Sequence, residues 1–181
     1  MKLDVHDTRI EGVKVLTPVS FKDQRGEFFE AYNKRELEAL GIPSDFVQDN
    51  YSISQRGVIR GLHFQIKPYD QDKLVRCTSG SIYDVAVDLR PNSKTFGQWF
   101  GVELNAQNRK QLFIPKGFAH GLQALENGSQ ACYKITAYYE PDYERCIHPL
   151  DQALAINWPI ENDIILSLKD SEAPNFSEMI G

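Results

Sequence analysis

The chain runs to 181 residues, 41% hydrophobic and 25% charged, the make-up of an ordinary folded protein and not of a disordered one. A formal net charge of −5 removes any general electrostatic pull toward nucleic acid or acidic lipid, and no apolar run is long enough to cross a bilayer. The length suits one core, so residues 1–181 are expected to form a single domain.

The opening residues Met1-Lys2-Leu3-Asp4-Val5-His6 lack the apolar core of a secretory signal. Cys77, Cys132 and Cys146 are odd in number and widely spaced, which gives neither a disulfide framework nor a zinc ribbon. Cys77 and Cys132 sit in apolar strand-like runs, where a free thiol behaves as a small hydrophobe. A reducing, cytoplasmic location is expected.

The first predicted element is a helix. Asn33 caps it, and Glu36 lies three residues on in a loose capping-box pattern. Leu37 and Leu40 give its apolar stripe, and Gly41 with Pro43 ends it. Next comes Gly57 to Gln65, an apolar strand pattern interrupted by polar groups. Period two places Gly61, His63 and Gln65 on one face and Leu62 and Phe64 on the other. Arg60 falls opposite His63 unless the strand starts late or bulges near Gly61. The plain alternative for His63 is a core histidine satisfied by a neighbour. Lys73 enters another apolar strand. Arg25, Arg60 and Lys73 would make an anion site only if the fold brings them together; singly, each reads as a solvated surface cation.

Strands dominate the middle of the chain. Ser81 to Leu89 alternates, with Val85, Val87 and Leu89 on one side and Asp84, Ala86 and Asp88 on the other. Gly97 to Leu104, Gln111 to Ile114 and Ala131 to Tyr139 are also β-rich, separated by turns such as Arg90-Pro91-Asn92-Ser93 and Asn127-Gly128-Ser129. In the last run Tyr133, Ile135, Ala137 and Tyr139 share a face. An inward tyrosine there can donate a proton and another can stack on a flat ring, although aromatic residues are also simply good strand formers. The tail contains an ordered-looking stretch, Leu166 to Asp170. The simplest account is a mainly β sandwich, barrel or jelly roll, with strands in the middle and short helical pieces at the ends.

The Pro115-Lys116-Gly117-Phe118-Ala119-His120 element resembles the second motif of the cupin barrels, in which the histidine often ligates a metal. A cupin metal centre also needs a His-x-His pair and a Glu soon after it. This chain has His63 and Gln65 with no Glu at the needed spacing, and Gln is a poor ligand for zinc or ferrous iron. The resemblance is to a cupin that has lost its metal and kept its polar lining, so no metal is expected.

A longer series of segments carries a more specific resemblance. In order they are Phe21 to Glu30, Phe46 to Ser52, Arg60 to Gln65, Lys73 to Val75, Asp84 to Arg90, Ser93 to Trp99, Pro115 to Gly121, Tyr133-Lys134, Trp158-Pro159 and Leu166 to Asp170. The series resembles the dTDP-4-dehydrorhamnose 3,5-epimerase family, cofactor-free cupins that act on a dTDP-4-keto-6-deoxyhexose. The resemblance implies His63 as general base, Asp170 as its orienting carboxylate, Tyr133 as the acid on the opposite sugar face and Lys73 beside the C4 oxygen. It further implies Arg25, Gln48, Asn50, Arg60 and His120 as nucleotide and sugar contacts. Tyr139 would stack on thymine, with Glu144 and Lys169 as further contacts. Glu30 would reach into a neighbouring subunit's site, which implies a homodimer.

The chemistry explains why such a set is needed. A C4 ketone acidifies the hydrogens at C3 and C5. If that carbon acid has a pKa on the order of 19, the gap to an imidazole of about 6.5 is roughly 12 units, about 17 kcal/mol. An imidazole alone cannot bridge that, so a cation must stabilise the developing oxyanion. One segment departs from the family pattern: Cys146-Ile147-His148-Pro149-Leu150-Asp151 stands where Gly-Ile-x-Trp is common. It resembles relatives in specialised deoxysugar pathways, some of which invert only C3 or only C5, and it keeps single epimerisation open. A metal-dependent cupin and a non-catalytic sugar-nucleotide binder are the other classes to be separated from this one.

Overall fold

Alternation with period two becomes two facing antiparallel sheets in the computed structural model, which describes residues 3–180. Met1, Lys2 and Gly181, the ends of the expected 1–181 span, lie outside the described residues. The strands are β1 (Leu3–Asp7), β2 (Lys14–Pro18), β3 (Phe21–Asp23), β4 (Gly26–Phe28), β5 (Gln48–Ser54), β6 (Ile59–Gln65), β7 (Lys73–Ser79), β8 (Ser81–Asp88), β9 (Trp99–Asn105), β10 (Gln111–Ile114), β11 (Phe118–Ala124), β12 (Ser129–Ile135) and β13 (Glu144–Cys146). The helices are α1 (Lys34–Ala39), α2 (Leu168–Ser171) and α3 (Phe176–Ile180). One sheet has the order β1-β2-β10-β7-β12-β5 and the other β13-β6-β11-β8-β9; β3 and β4 form a separate hairpin. This is the mainly β, cupin-type architecture with short helices that the sequence implies.

Apolar residues fill three layers. Val75, Ile82, Ala86, Leu112, Ile114 and Leu122 meet between the sheets. Leu16, Leu74 and Phe113 on the outer face of the six-stranded sheet pack on Leu37 of α1 and on Ile42. On the outer face of the other sheet, Val85, Val87 and Ala119 are covered by Leu154, Trp158 and Phe176 from the C-terminal segment. Both faces of β8 are therefore buried, and the face bearing Asp84 and Ala86 points between the sheets. Asp88 closes the β8–β9 turn by accepting from Arg90, Ser93 and Thr95. Burial pushes its carboxyl up, but these bonds outweigh it and hold the carboxyl at about 2. Cys77 and Cys132 are buried free thiols and Cys146 is a half-buried one.

Helix α1 forms where the capping pattern places it, with the Asn33 side chain accepting from the N–H groups of Arg35 and Glu36. Two expectations need correction. The N-terminal region is not merely helical, because four strands precede α1. Their alternation is weak, β3 and β4 being exposed on every residue, so period two carries little signal there. The strand from Ala131 ends at Ile135 and does not reach Tyr139. One more backbone bond follows, from the Thr136 N–H to the Asp72 carbonyl, and side chains then take over: Gln71 Nε2 donates to the Ala137 carbonyl, and the Thr136 hydroxyl donates to Asp72.

The position of Arg60 is settled by a bulge. Across β6 and β11, His63 faces His120 but Arg60 faces Leu122, so β6 carries one residue more than its partner over this interval. The extra residue puts Arg60 and His63 on the same side despite their odd spacing. Gly61 makes this possible. Its φ is +141°, and a Cβ there would lie 2.5 Å from the Cα of Gly121. Gly61→Ala is expected to destabilise the fold by about 3 kcal/mol or more through backbone strain and overlap. Thermal unfolding checks this: a fall in Tm of roughly 10 °C is expected, and an unchanged Tm would show that the bulge tolerates a side chain.

Candidate active site

Between the sheets opens a cavity of about 650 Å³. Arg60, His63 and Gln65 reach it from β6, Lys73 from β7, His120 from β11, Tyr133 from β12, and Gln48 and Asn50 from β5. Tyr139, Glu144, Lys169 and Asp170 complete its wall. The fold thus gathers every expected site residue except Arg25 and Glu30. Arg25 sits exposed on the β3–β4 turn, paired with Asp23 at 2.5 Å. Of Arg25, Arg60 and Lys73, this protomer brings the last two to the cavity, where Lys169 joins them. Glu30 is exposed beside α1, with Asn33 Nδ2 donating to it at 3.4 Å.

His63 is bonded to Asp170 at 2.6 Å through Nε2. The carboxyl is brought there by α2, whose N-cap Ser167 accepts from the Asp170 N–H at 3.1 Å. The segment leading into α2 runs parallel to the start of β6 through the Val58–Ile165 bridge. Burial pushes the Asp170 carboxyl up, but the hydrogen bond and charge of His63, with help from Ser167 and the Gly61 N–H, hold it below its ordinary value. An ionised carboxylate only accepts, so Nε2 is the donor and the neutral ring keeps its lone pair on Nδ1. That nitrogen is the one free to take a proton.

Tyr133 faces His63 from the opposite sheet, because β12 and β6 belong to different sheets. Its ring lies edge-on to His120 at 5.9 Å between centroids. Burial raises the phenol, partly offset by the charge of Arg60, so it holds its proton at neutral pH. Lys73 is 6% exposed. Its ammonium donates to the His63 carbonyl at 3.2 Å, which leaves further donors for a ligand oxygen. Burial lowers it to about 8, against the opposing pull of Asp84 and Glu144. At the mouth, Glu144 Oε2 accepts from the Tyr139 hydroxyl at 2.7 Å and from Lys169 at 2.5 Å. Arg60 is anchored by donating to Ser54 Oγ at 3.0 Å.

Two contributors escaped the sequence reading. Asp84, wholly buried, accepts from His120 Nε2 at 2.8 Å and forms a second His–Asp pair. An aspartate inside an apolar strand was the available signal. Ser167 was visible only as part of the ordered tail. For metal binding, the donor set fits poorly: His63 and His120 each engage a carboxylate, and the Gln65 amide is bonded to backbone. Among the described residues no group of three or more His, Cys, Asp or Glu could hold a metal ion.

A base and an acid on opposite walls, with a buried cation alongside, can remove a proton from one face of a carbon and return one to the other. That layout, on a cupin-type barrel, defines a sugar epimerase, an isomerase by class. The chain belongs to the dTDP-4-dehydrorhamnose 3,5-epimerase family, whose profile matches residues 7–178. It is 50% identical over 179 residues to the dTDP-4-dehydrorhamnose 3,5-epimerase of Escherichia coli K12, covering 98% of this chain and 97% of that protein. The epimerase structure from Elizabethkingia anophelis superposes with a TM-score of 0.94 at 43% identity, covering 97% of both chains. A dTDP-6-deoxy-D-glucose-3,5-epimerase from Legionella pneumophila, in complex with dTDP-4-keto-L-rhamnose, gives 0.91 at 47% identity, covering 96% of this chain and 93% of that one. A dTDP-4-dehydrorhamnose 3-epimerase of Streptomyces niveus is 41% identical, covering 91% of this chain and 79% of that protein.

The buried Lys73 charge opposes folding. A fall from 10.5 to about 8 corresponds to about 3 kcal/mol. Lys73→Met is therefore expected to raise Tm by several degrees while abolishing turnover. The stability gain is full below pH 8, where both folded and unfolded lysine are protonated. It fades between about 8 and 10.5, where only the unfolded chain still binds the proton. Calorimetry across that range checks the sign, and a gain that grew with pH would contradict the assignment.

Proposed function

We propose that this chain is a dTDP-4-dehydrorhamnose 3,5-epimerase. It converts dTDP-4-dehydro-6-deoxy-α-D-glucose to dTDP-4-dehydro-β-L-rhamnose, supplying L-rhamnose to a surface polysaccharide or glycoconjugate. The observation that carries this is the approach of His63 and Tyr133 to one cavity from opposing sheets, beside a buried ammonium.

In this reading Nδ1 of His63 removes the proton from C3 or C5. Lys73 holds the enolate oxygen at C4, in a site where water is largely excluded and a charge–charge contact is strong. Asp170 stabilises the imidazolium that forms. Tyr133 then delivers a proton to the opposite face, which inverts the centre. Arg60 and Lys169 supply positive charge for the diphosphate, and Tyr139 stacks on thymine. Gln48, Asn50, His120 and Glu144 contact the nucleotide and sugar.

Inversion at C3 alone is the alternative suggested by the Streptomyces niveus relative and by the His148-Pro149-Leu150-Asp151 segment. In the structure that segment serves the packing of the C-terminal region. Pro149 accepts from Trp158 Nε1 at 2.8 Å, and Asp151 accepts from the Phe176 N–H at 2.9 Å. None of the four residues lines the cavity. This supports double inversion.

The whole 1–181 span is proposed to act as one epimerase domain, in the cytoplasm and as a homodimer. Among the described residues no helix is long and apolar enough to cross a membrane. The β3–β4 hairpin supports the dimer: Phe21 and Phe28, paired at its open end, are 63% and 68% exposed, an apolar patch that a second copy would cover. Arg25 on the turn of the same hairpin, and Glu30 just after it, would complete the neighbouring site.

The following measurements test these assignments. In deuterated water, NMR of the 4-keto sugar nucleotide is expected to show wash-in at both C3 and C5; wash-in at one position means single epimerisation, and at neither a binder. His63→Ala is expected to abolish wash-in while retaining dTDP binding, and Tyr133→Phe to impair reprotonation more than abstraction; equal loss of both steps in the latter would refute the division of labour. The kcat/KM profile is expected to fall above about pH 8 as Lys73 loses its proton; activity flat to pH 10 would remove the ammonium from the mechanism. Sedimentation of a Phe21→Ser, Phe28→Ser double variant is expected to show monomers where the unsubstituted chain sediments as a dimer.

A further inference from the structure

Gln65 occupies the place where the cupin metal pattern would have its second histidine, and it has no part in the proton transfers. It is 6% exposed and fully engaged. Its Nε2 donates to the Tyr69 carbonyl at 2.7 Å and to the Tyr138 carbonyl at 3.1 Å. Its Oε1 accepts from the Glu140 N–H at 2.6 Å. The Tyr138 carbonyl belongs to the peptide group before Tyr139, and the Glu140 N–H to the one after it. Both planes flanking Tyr139 are therefore held by a single side chain. Both amide protons are in use, so Gln65 has no donor left for a ligand.

We propose that Gln65 is a positioning residue that fixes Tyr139 as a preformed platform for the nucleotide base. This rests on the proposed stacking of Tyr139 on thymine. The platform needs outside support because β12 ends at Ile135, four residues before Tyr139, and no strand ladder holds the segment. Gln48 adds to the grip, its Oε1 accepting from the Tyr139 N–H at 3.1 Å. The ring's far end is tied to Glu144 through the hydroxyl. A tyrosine fixed at both peptide planes and at its tip loses little freedom when a base lands on it, and that saving appears as affinity. The bonds of His63 to Asp170 and of Lys73 to the His63 carbonyl do not involve Gln65, so the effect is expected in binding and not in the proton transfers.

The test is a double-mutant cycle on the full chain, read by dTDP calorimetry and by steady-state kinetics. Gln65→Leu is expected to weaken dTDP binding and raise KM about tenfold, with kcat changed less than about twofold. Added to Tyr139→Ala it is expected to cost less than about a further twofold, because the clamp then has nothing to hold. Gln65→Glu keeps the acceptor for Glu140 but turns an ionised oxygen toward two carbonyls. Its dTDP affinity relative to the unsubstituted chain is expected to recover as the pH falls and the new carboxyl becomes a donor. This second variant keeps the test decisive if Gln65→Leu folds poorly. Additive losses in the double variant, a fall in kcat at unchanged KM, or no recovery at low pH would each overturn the proposal. Unaltered dTDP affinity in Tyr139→Ala would overturn the stacking assignment, and this proposal with it. Loss in Tyr139→Ala but not in Gln65→Leu would overturn the clamp alone.

Discussion

The site depends on one uncomfortable fact: a lysine ammonium kept out of water between two sheets. Lys73 is placed there by β7, and its bond to the His63 carbonyl ties the six-stranded sheet to the five-stranded one. The same burial that lowers its hold on a proton would make its attraction to an oxyanion strong. Stability and chemistry therefore pull in opposite directions at this residue, as is common where a site must be ready before its ligand arrives. The carboxylates of Asp84 and Glu144 offset part of the penalty from a distance.

Around that charge the two imidazoles are treated differently. His63 is partly open to the cavity, and its Asp170 partner arrives from a distant part of the chain, on α2. His120 is buried, and burial lowers its readiness to take a proton; its Asp84 partner comes from the adjacent strand. The first arrangement suits a group that must accept a proton from a ligand. The second suits a fixed neutral ring that shapes the pocket and supports Tyr133 through an edge contact. Two His–Asp pairs of similar length thus differ in what their surroundings let them do.

Much of this was legible in the sequence, and the exceptions have physical causes. The helix was readable from Asn33 and its stripe because capping is local. The middle strands are readable because they are rich in apolar and β-branched residues and are bounded by clear turns. Arg60 was legible only conditionally: whether it joins His63 depends on a bulge, and a bulge is set by how closely Gly61 meets Gly121, which is non-local. Asp84 stood out as a polar residue on an apolar strand, but its partner lies 36 residues away and no spacing rule connects them. The first four strands escape the pattern because they are only three to five residues long, and β3 and β4 are exposed throughout. Gln65 was noticed for the ligand it is not; its actual partners lie in loops whose shape no period describes. Family resemblance filled several of these gaps for the cavity, yet it placed Arg25 and Glu30 where this protomer alone does not bring them.

Asp170 is the last of the cavity groups in chain order. The sheets that carry His63, Lys73, His120 and Tyr133 are complete before residue 147, whereas the carboxylate comes from a segment that first crosses the back of the five-stranded sheet through Leu154 and Trp158. The His63–Asp170 bond therefore waits on chain that lies after both sheets. The segment thus sets the Asp170 carboxylate in place through packing contacts on the far side of the sheet from the cavity.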